Sequence, residues 1–321
     1  MAATQVTAGV DLGGTKIQSV VLRDHEVAGS ARVLTPQTGA AADVIEAIAG
    51  TVKAALEQAG AGPSALAGVG IGAPGEIDPA AGAVLRAPNV PGFAERVELA
   101  SLLSEAIGGA TVTLDNDVRV GVLGEFHRGA GRPFGNVLGV WVGTGVGGGL
   151  VLDGKLRAGN GSAGEIGHLI VQPRGRRCSC GRRGCLEAYA GRACMEQRAR
   201  RLHERGVKTA LFRIMKERDR KRLSSGVYAQ ALEEGDKLAK RLLDQATWAL
   251  GIALASAQNL LDLEAIIVGG GLGDRLGRPF VDRIVEEMTP HLFKPGSPPV
   301  VLTTELQDLS GAVGAAVLVG G

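Results

Sequence analysis

Three cysteines and a histidine carry the most specific chemistry in the sequence. Cys178, Cys180 and Cys185 are spaced C-x-C-x4-C, and His168 lies ten residues upstream. Thiolates and an imidazole in this pattern suit a tetrahedral Cys3His zinc site. Four protein ligands close the coordination sphere, so the metal would be structural. Clustered thiols of this kind belong to a reducing compartment, which makes a cytoplasmic protein the expectation. Cys194 falls outside the cluster and reads as a structural thiol. His25, His127, His203 and His291 have no partner pattern.

Glycine turns supply the second kind of chemistry. Asp11-Leu-Gly13-Gly14-Thr15-Lys16 and Gly143-Thr144-Gly145 each end an apolar stretch. Glycines let backbone N–H groups approach phosphate oxygens, and threonine hydroxyls add donors. Asp11 would hold a metal ion directly or through water. The longer string Gly143-Thr-Gly-Val-Gly-Gly148 also fits the dinucleotide fingerprint, but that motif must open a helix. Here it runs into Leu150-Val-Leu-Asp-Gly154, a strand and hairpin signal, so the fingerprint is rejected. Gly-x4-Gly-Lys-Ser/Thr is absent from the sequence. A third run, Gly269-Gly270-Gly271, follows the apolar stretch 265–268 and precedes a helical pattern around 281–288. Bare backbone there would let a flat base or a ribose lie close.

The elements that must position these residues repeat. Residues 6–12, 17–22 and 26–34 read as strands, the first two joined by so short a glycine loop that they form an antiparallel hairpin. A helix over 40–59, a strand over 67–71 ending in Gly72-Ala-Pro-Gly75, a helix over 94–107 and a strand over 110–114 follow. They lead into Asp115-Asn116-Asp117. From Asn136 the design restarts: a strand over 137–142, a glycine turn, a strand over 149–152, the turn Asp153-Gly154, and a strand from Lys155. The expected architecture is α/β and duplicated, two lobes with a cleft between them.

Composition narrows the class. In 321 residues the net charge is +2, apolar residues make up 45%, and glycine counts 50. That apolar fraction excludes a disordered chain, and no Gly-X-Y period exists. Near-neutral charge gives no global attraction to nucleic acid or to an acidic membrane. The most apolar window, 246–261, is interrupted by Gly251, Ser256, Gln258 and Asn259. It falls short of the roughly 20 residues a membrane span needs and reads as a core helix. The opening residues show neither a basic start nor an apolar leader. Residues 192–222 hold 12 Lys/Arg against 4 Asp/Glu. The spacing of Leu202, Leu211, Ile214 and Met215 favours a solvated helical face over a nucleic-acid surface, for which no module is present.

Together these motifs resemble the ROK family of sugar kinases, and within it the bacterial ATP-dependent glucokinases, from Asp11 to the final helix. The matching strings are Asp11-Leu-Gly-Gly-Thr-Lys16, Gly72-Ala-Pro-Gly75, Asn116-Asp117 and Gly143-Thr-Gly-Val-Gly-Gly-Gly149. Two further strings are the most specific, Ala163-Gly-Glu-Ile-Gly-His168 and Cys178-Ser-Cys-Gly-Arg-Arg-Gly-Cys-Leu-Glu187. The resemblance implies the actin-like, ribonuclease-H-like ATPase fold. Its lobes would be 1–117, completed by a C-terminal helix at about 305–321, and 118–304 with the zinc loop.

The implied reaction is phosphorylation of a hexose 6-hydroxyl by ATP, glucose being the favoured sugar. The resemblance makes Asp117 the base and Asn116 a sugar ligand beside it. Gly75, Asn89, Glu165, His168 and Glu187 would hold the remaining hydroxyls. It assigns Asp11, Gly13, Gly14, Thr15, Lys16, Gly143, Thr144 and Gly145 to the phosphate and Mg2+ side. Gly269, Gly270 and Gly271 fall to adenosine. Imidazole has two nitrogens, so His168 would bind zinc through one and a sugar hydroxyl through the other. Other hexoses, and polyphosphate as donor, remain alternatives, and a homodimer or higher homo-oligomer is expected.

Regulators in the family carry a DNA-binding domain ahead of the Asp-Leu-Gly-Gly strand, and ten residues precede Asp11, too few for one. Arg119 departs from the pattern, standing where the family has a small or amide residue. The zinc loop and the phosphate turns lie apart in the chain, so metal loss is expected to weaken sugar binding and spare the nucleotide.

Overall fold

Alternating apolar residues and a glycine turn fold the first strands back on one another. In the computed structural model, which describes residues 5–320, β1 (Val6–Leu12), β2 (Lys16–Arg23) and β3 (Glu26–Leu34) form an antiparallel meander. The chain continues through α1 (Ala41–Gln58), β4 (Leu66–Ala73), the small pair β5 (Glu76–Asp78) and β6 (Ala83–Arg86), and α2 (Leu99–Ala106). It then reaches β7 (Val112–Asn116) and α3 (Asp117–Arg128). β4 lies parallel to β1 and β7 parallel to β4, giving the order β3-β2-β1-β4-β7. α1 packs Val44, Ile48, Val52 and Ala55 against the sheet, where Ala8 and Val10 are fully buried.

The second unit repeats this plan. β8 (Val137–Val142), β9 (Val146–Leu152) and β10 (Lys155–Arg157) form the meander. Helices α4 (Glu187–Ala190), α5 (Arg192–Glu204), α6 (Leu211–Glu217), α7 (Ser225–Glu233) and α8 (Lys237–Leu261) follow. They precede β11 (Ala265–Gly269), α9 (Gly270–Met288) and β12 (Val300–Thr303). The order β10-β9-β8-β11-β12 matches the first sheet strand for strand. The Asp153-Gly154 turn has both residues at positive φ, 52° and 72°, as a two-residue hairpin requires. The window 246–261 lies within α8, whose Leu242, Leu250 and Leu254 are buried. Among the described residues no helix is long and apolar enough to cross a membrane.

The last helix, α10 (Ser310–Gly320), returns to the first unit. It lies on β1 and β4 and against α3 so closely that a Cβ on Gly70 or Gly314 would overlap the Ala315 or Val120 carbonyl. Glu125 of α3 ties the approach to α10 by accepting from Glu305 N, Leu306 N and Ser310 Oγ at 3.0, 2.9 and 2.7 Å. By contacts the units are Met1–Pro133 with Glu305–Gly321, and Phe134–Thr304. α3 thus goes with the first unit, whereas the sequence division opens the second lobe at residue 118.

Two other details differ from the sequence reading. α2 starts at Leu99 rather than residue 94, because Val97 is held extended by a two-bond bridge to Val84. α9 starts directly at Gly270 and breaks at Gly277 before Pro279. The basic stretch forms α5 and α6, which bury Met195, Ala199, Leu211 and Ile214.

Candidate functional site

In the first unit, β1 delivers Asp11 to the head of its glycine turn. Gly13 N donates to Lys16 O at 3.0 Å, Thr35 N to Thr15 O at 3.0 Å, and Thr35 Oγ1 to Gly13 O at 2.6 Å. Gln37 Nε2 donates to Gly14 O at 3.2 Å. None of these bonds uses the N–H of Gly14 or Thr15, the groups a phosphate would take. Gly14 abuts Asn89, and a Cβ there would overlap the Asn89 carbonyl. Asn89 is exposed in a turn closed by Val90 N donating to Ala87 O at 2.9 Å. Gly75 follows β4 at φ 92°.

β7 and α3 meet at the paired residues Asn116 and Asp117. Asn116 is the N-cap of α3, its Oδ1 accepting from Val118 N and Arg119 N at 3.0 and 3.3 Å. That is the ordinary reason a helix begins on Asn. Asp117 Oδ1 accepts from Val118 N at 2.8 Å. Arg119 is buried and paired with buried Asp115, Nε to Oδ1 at 2.8 Å with a second bond from Nη2. The same Asp115 oxygen takes Asn116 N–H at 2.6 Å. The departure from the family pattern therefore clamps the turn that presents Asn116 and Asp117.

Asp11 and Asp117 feel each other's charge. Burial, then the Asp117 charge, push the Asp11 carboxyl up to about 7, against the opposing pull of Lys16. Lys16 itself is engaged by Asp308, at 3.2 Å, which also takes Arg32 at 3.0 Å. A buried carboxylate that feels a second carboxylate's charge is donor chemistry that a hard dication takes, so Asp11 fits magnesium.

In the second unit, His168, Cys178, Cys180 and Cys185 converge, their ligand atoms all within 4.8 Å of one another. Cys180 and Cys185 sulfurs lie 3.7 Å apart, and Cys178 Sγ lies 3.9 Å from His168 Nδ1. Zn–S bonds of about 2.3 Å give a tetrahedron with edges of about 3.8 Å, so the residues fit zinc. Glu165 and His168 sit three apart about the short 3-10 turn Ile166–His168.

Glu187 joins the cysteine loop to the strand end that follows the Gly143–Gly145 turn. One carboxylate oxygen accepts from Ser179 Oγ at 2.8 Å, and the other from Val146 N at 3.1 Å. The second oxygen stands 2.4 Å from where a Cβ on Gly145 would be, so a larger residue there would displace the Glu187 carboxylate. The turn is held again from α5, with Arg192 N donating to Gly143 O at 3.1 Å and Ala193 N to Thr144 O at 3.0 Å. Gly270 has φ 77°, and Gly269 packs beside Trp141 and Thr304.

A ROK family model matches residues 7–321. The chain belongs to the ROK family. A glucokinase of Thermotoga maritima is 33% identical over 319 residues, 97% of this chain and 96% of its own. The crystal structure of a ROK hexokinase from Thermus thermophilus superposes with a TM-score of 0.80 at 31% identity, covering 98% of this chain and 97% of that one. A ROK glucokinase from Streptomyces griseus, solved with glucose and AMPPNP, gives 0.79 at 32% identity and 98% of each chain. The fold is accordingly the α/β actin-like ATPase fold of ROK proteins, built from the two duplicated units.

Within this ROK chain the candidate residues fall into two sets. The first unit brings together Asp11, Gly13, Gly14, Thr15, Lys16, Gly75, Asn89, Asn116 and Asp117. The second holds Gly143, Thr144, Gly145, Glu165, His168, Glu187, the three cysteines and Gly269, Gly270 and Gly271. Sequence reading missed that Glu187 links the cysteine loop, at Ser179, to Val146 beside the Gly143–Gly145 turn. It also gave no role to Arg119 or Arg192. Arg119 carried a signal, as a long cation two residues from the Asn-Asp pair. Arg192 was hidden in a basic run.

Proposed function

We propose that this ROK protein transfers the γ-phosphoryl group of ATP to the 6-hydroxyl of glucose. The observation that carries the reading is Asp117 on the first turn of α3 with the Asp11 carboxylate in electrostatic reach. Full-length likeness to glucokinases supports it. As the sugar O6 attacks, it bonds to the γ-phosphorus, its proton passes to Asp117, and the bond to the β-phosphate oxygen breaks to release ADP. Asn89, Asn116, the backbone at Gly75, Glu165, His168 and Glu187 are the candidate ligands of the sugar hydroxyls. Paired hydrogen bonds to adjacent hydroxyls reject epimers that leave buried groups unpaired.

The turns at Gly13–Lys16 and Gly143–Gly145 bind phosphates, and Gly269 to Gly271 face the adenosine. Asp11 would hold magnesium, which neutralises charge on the phosphates when bound. His168, Cys178, Cys180 and Cys185 would hold a structural zinc, and the reduced thiols this requires favour a cytoplasmic protein.

A coupled assay tests the whole reading. Glucose, mannose, fructose, N-acetylglucosamine and N-acetylmannosamine are each offered with ATP and with polyphosphate. The expected result is the highest kcat/KM for glucose with ATP. Absence of turnover with every pair overturns the kinase reading, and a better N-acetyl sugar overturns the assignment to glucose.

A further inference from the structure

Within residues 192–222, two arginines pair with carboxylates of their own helices. Arg200 pairs with Glu196 at 2.6 Å, and Arg213 pairs with Glu217 at 2.8 Å. Arg192 differs. It opens α5, half-buried, and its Nη2 reaches Thr144 Oγ1 of the phosphate turn at 3.3 Å. The same Nη2 lies 3.9 Å from where a Cβ on Gly271 would stand, so one guanidinium bonds the second glycine run and lies beside the third. Its Nε is buried with no hydrogen-bond partner.

The carboxylate nearest in the local cluster is already satisfied. Glu196 accepts from Arg200 twice, from Leu223 N at 3.0 Å and from Arg222 Nε at 3.5 Å. Thr144, Arg192, Ala193, Glu196, Arg222 and Leu223 enclose a small cavity with a surplus of cations. Guanidinium matches phosphate oxygens in a two-donor fork.

We propose that Arg192 is a binding residue for the phosphate chain of the donor, taking a phosphate oxygen beside Thr144. This rests on the nucleotide reading of the Gly143–Gly145 turn. Backbone bonds from α5 already fix that turn, so the side chain is free to act on the ligand. Substitution of the side chain leaves the two N–H donors of Arg192 and Ala193 in place.

The test is calorimetric titration, with glucose present, of the wild type, Arg192→Ala, Arg192→Gln and Arg192→Lys. The probes are AMPPNP, tripolyphosphate and adenosine. The expected result for Arg192→Ala and Arg192→Gln is an AMPPNP affinity lower by about 10- to 100-fold, the size of one or two charged hydrogen bonds. Tripolyphosphate should weaken in parallel, adenosine should change less than about twofold, and Arg192→Lys should recover part of the loss. Equal weakening of adenosine and AMPPNP would mean that the side chain only supports the turn, and overturns the assignment. Unchanged AMPPNP affinity overturns it as well. A wild type that binds adenosine but neither phosphate probe overturns it while leaving the adenosine side standing. A wild type that binds none of the three overturns the nucleotide reading and this assignment with it.

Discussion

Asp115 gives one carboxylate oxygen to three donors, two from Arg119 and one from the Asn116 N–H. Truncating Arg119 would leave that carboxylate buried without its counter-charge, which in a protein interior costs roughly 3–5 kcal/mol. Arg119→Ala should lower the unfolding free energy from urea denaturation by that amount and slow turnover by loosening Asn116 and Asp117. Joint replacement with Asp115→Asn should recover much of the stability, and no recovery would argue against the clamp. Asp11 makes a second prediction at this scale. Its carboxyl is raised from 3.8 to about 7, so the folded ligand-free chain holds more protons than the unfolded chain between those values. Its contribution to stability is therefore lost as pH rises through that window. Asp11→Asn carries no such proton, so its stability relative to the wild type should grow from about pH 4 to pH 7 and then level. A difference that stays flat across denaturation curves would contradict the burial of this charge beside Asp117.

At the scale of elements, the cysteine loop and the Gly143–Gly145 turn share Glu187. Replacing Cys180 by Ser substitutes a poor ligand for a thiolate, and the ion's binding free energy is partly folding free energy. The loop should loosen, and Ser179 and Glu187 with it. Because Glu187 also accepts from Val146 N, the phosphate turn should lose support. We therefore expect Cys180→Ser to weaken both glucose and AMPPNP binding in titration, where chain distance alone had suggested that the nucleotide would be spared. Wild-type AMPPNP affinity in the zinc-free variant would contradict this coupling. The contrast shows what the sequence could carry. The zinc ligands and the glycine turns are local strings whose chemistry is fixed by residue type and spacing. The bond from Val146 to Glu187 spans 41 residues and exists only once β9 and α4 are packed. Likewise α2 reads as helical from residue 94, and only the distant bridge to Val84 holds Val97 extended.

Across the molecule, the duplicated strand order was legible because each meander announces itself by short turns, Gly13-Gly14 in one unit and Asp153-Gly154 in the other. The allegiance of α3 was not, since it depends on α10, nearly two hundred residues later in the chain. That contact is made by bare glycine, and Gly314→Val should force α10 from α3 and lower stability by about 3 kcal/mol, the upper range for overpacking. A thermal melt with an unchanged midpoint would refute the close approach. The account as a whole turns on one proton. Asp117→Asn keeps the shape of the side chain and an oxygen for Val118 N–H, but it cannot accept the hydroxyl proton of the sugar. The decisive measurement is turnover of Asp117→Asn with glucose and ATP, beside glucose affinity by titration. Turnover should fall by about 10²- to 10⁴-fold, with glucose affinity changed by no more than a few-fold. Turnover near that of the wild type would contradict the assignment of Asp117 as the base.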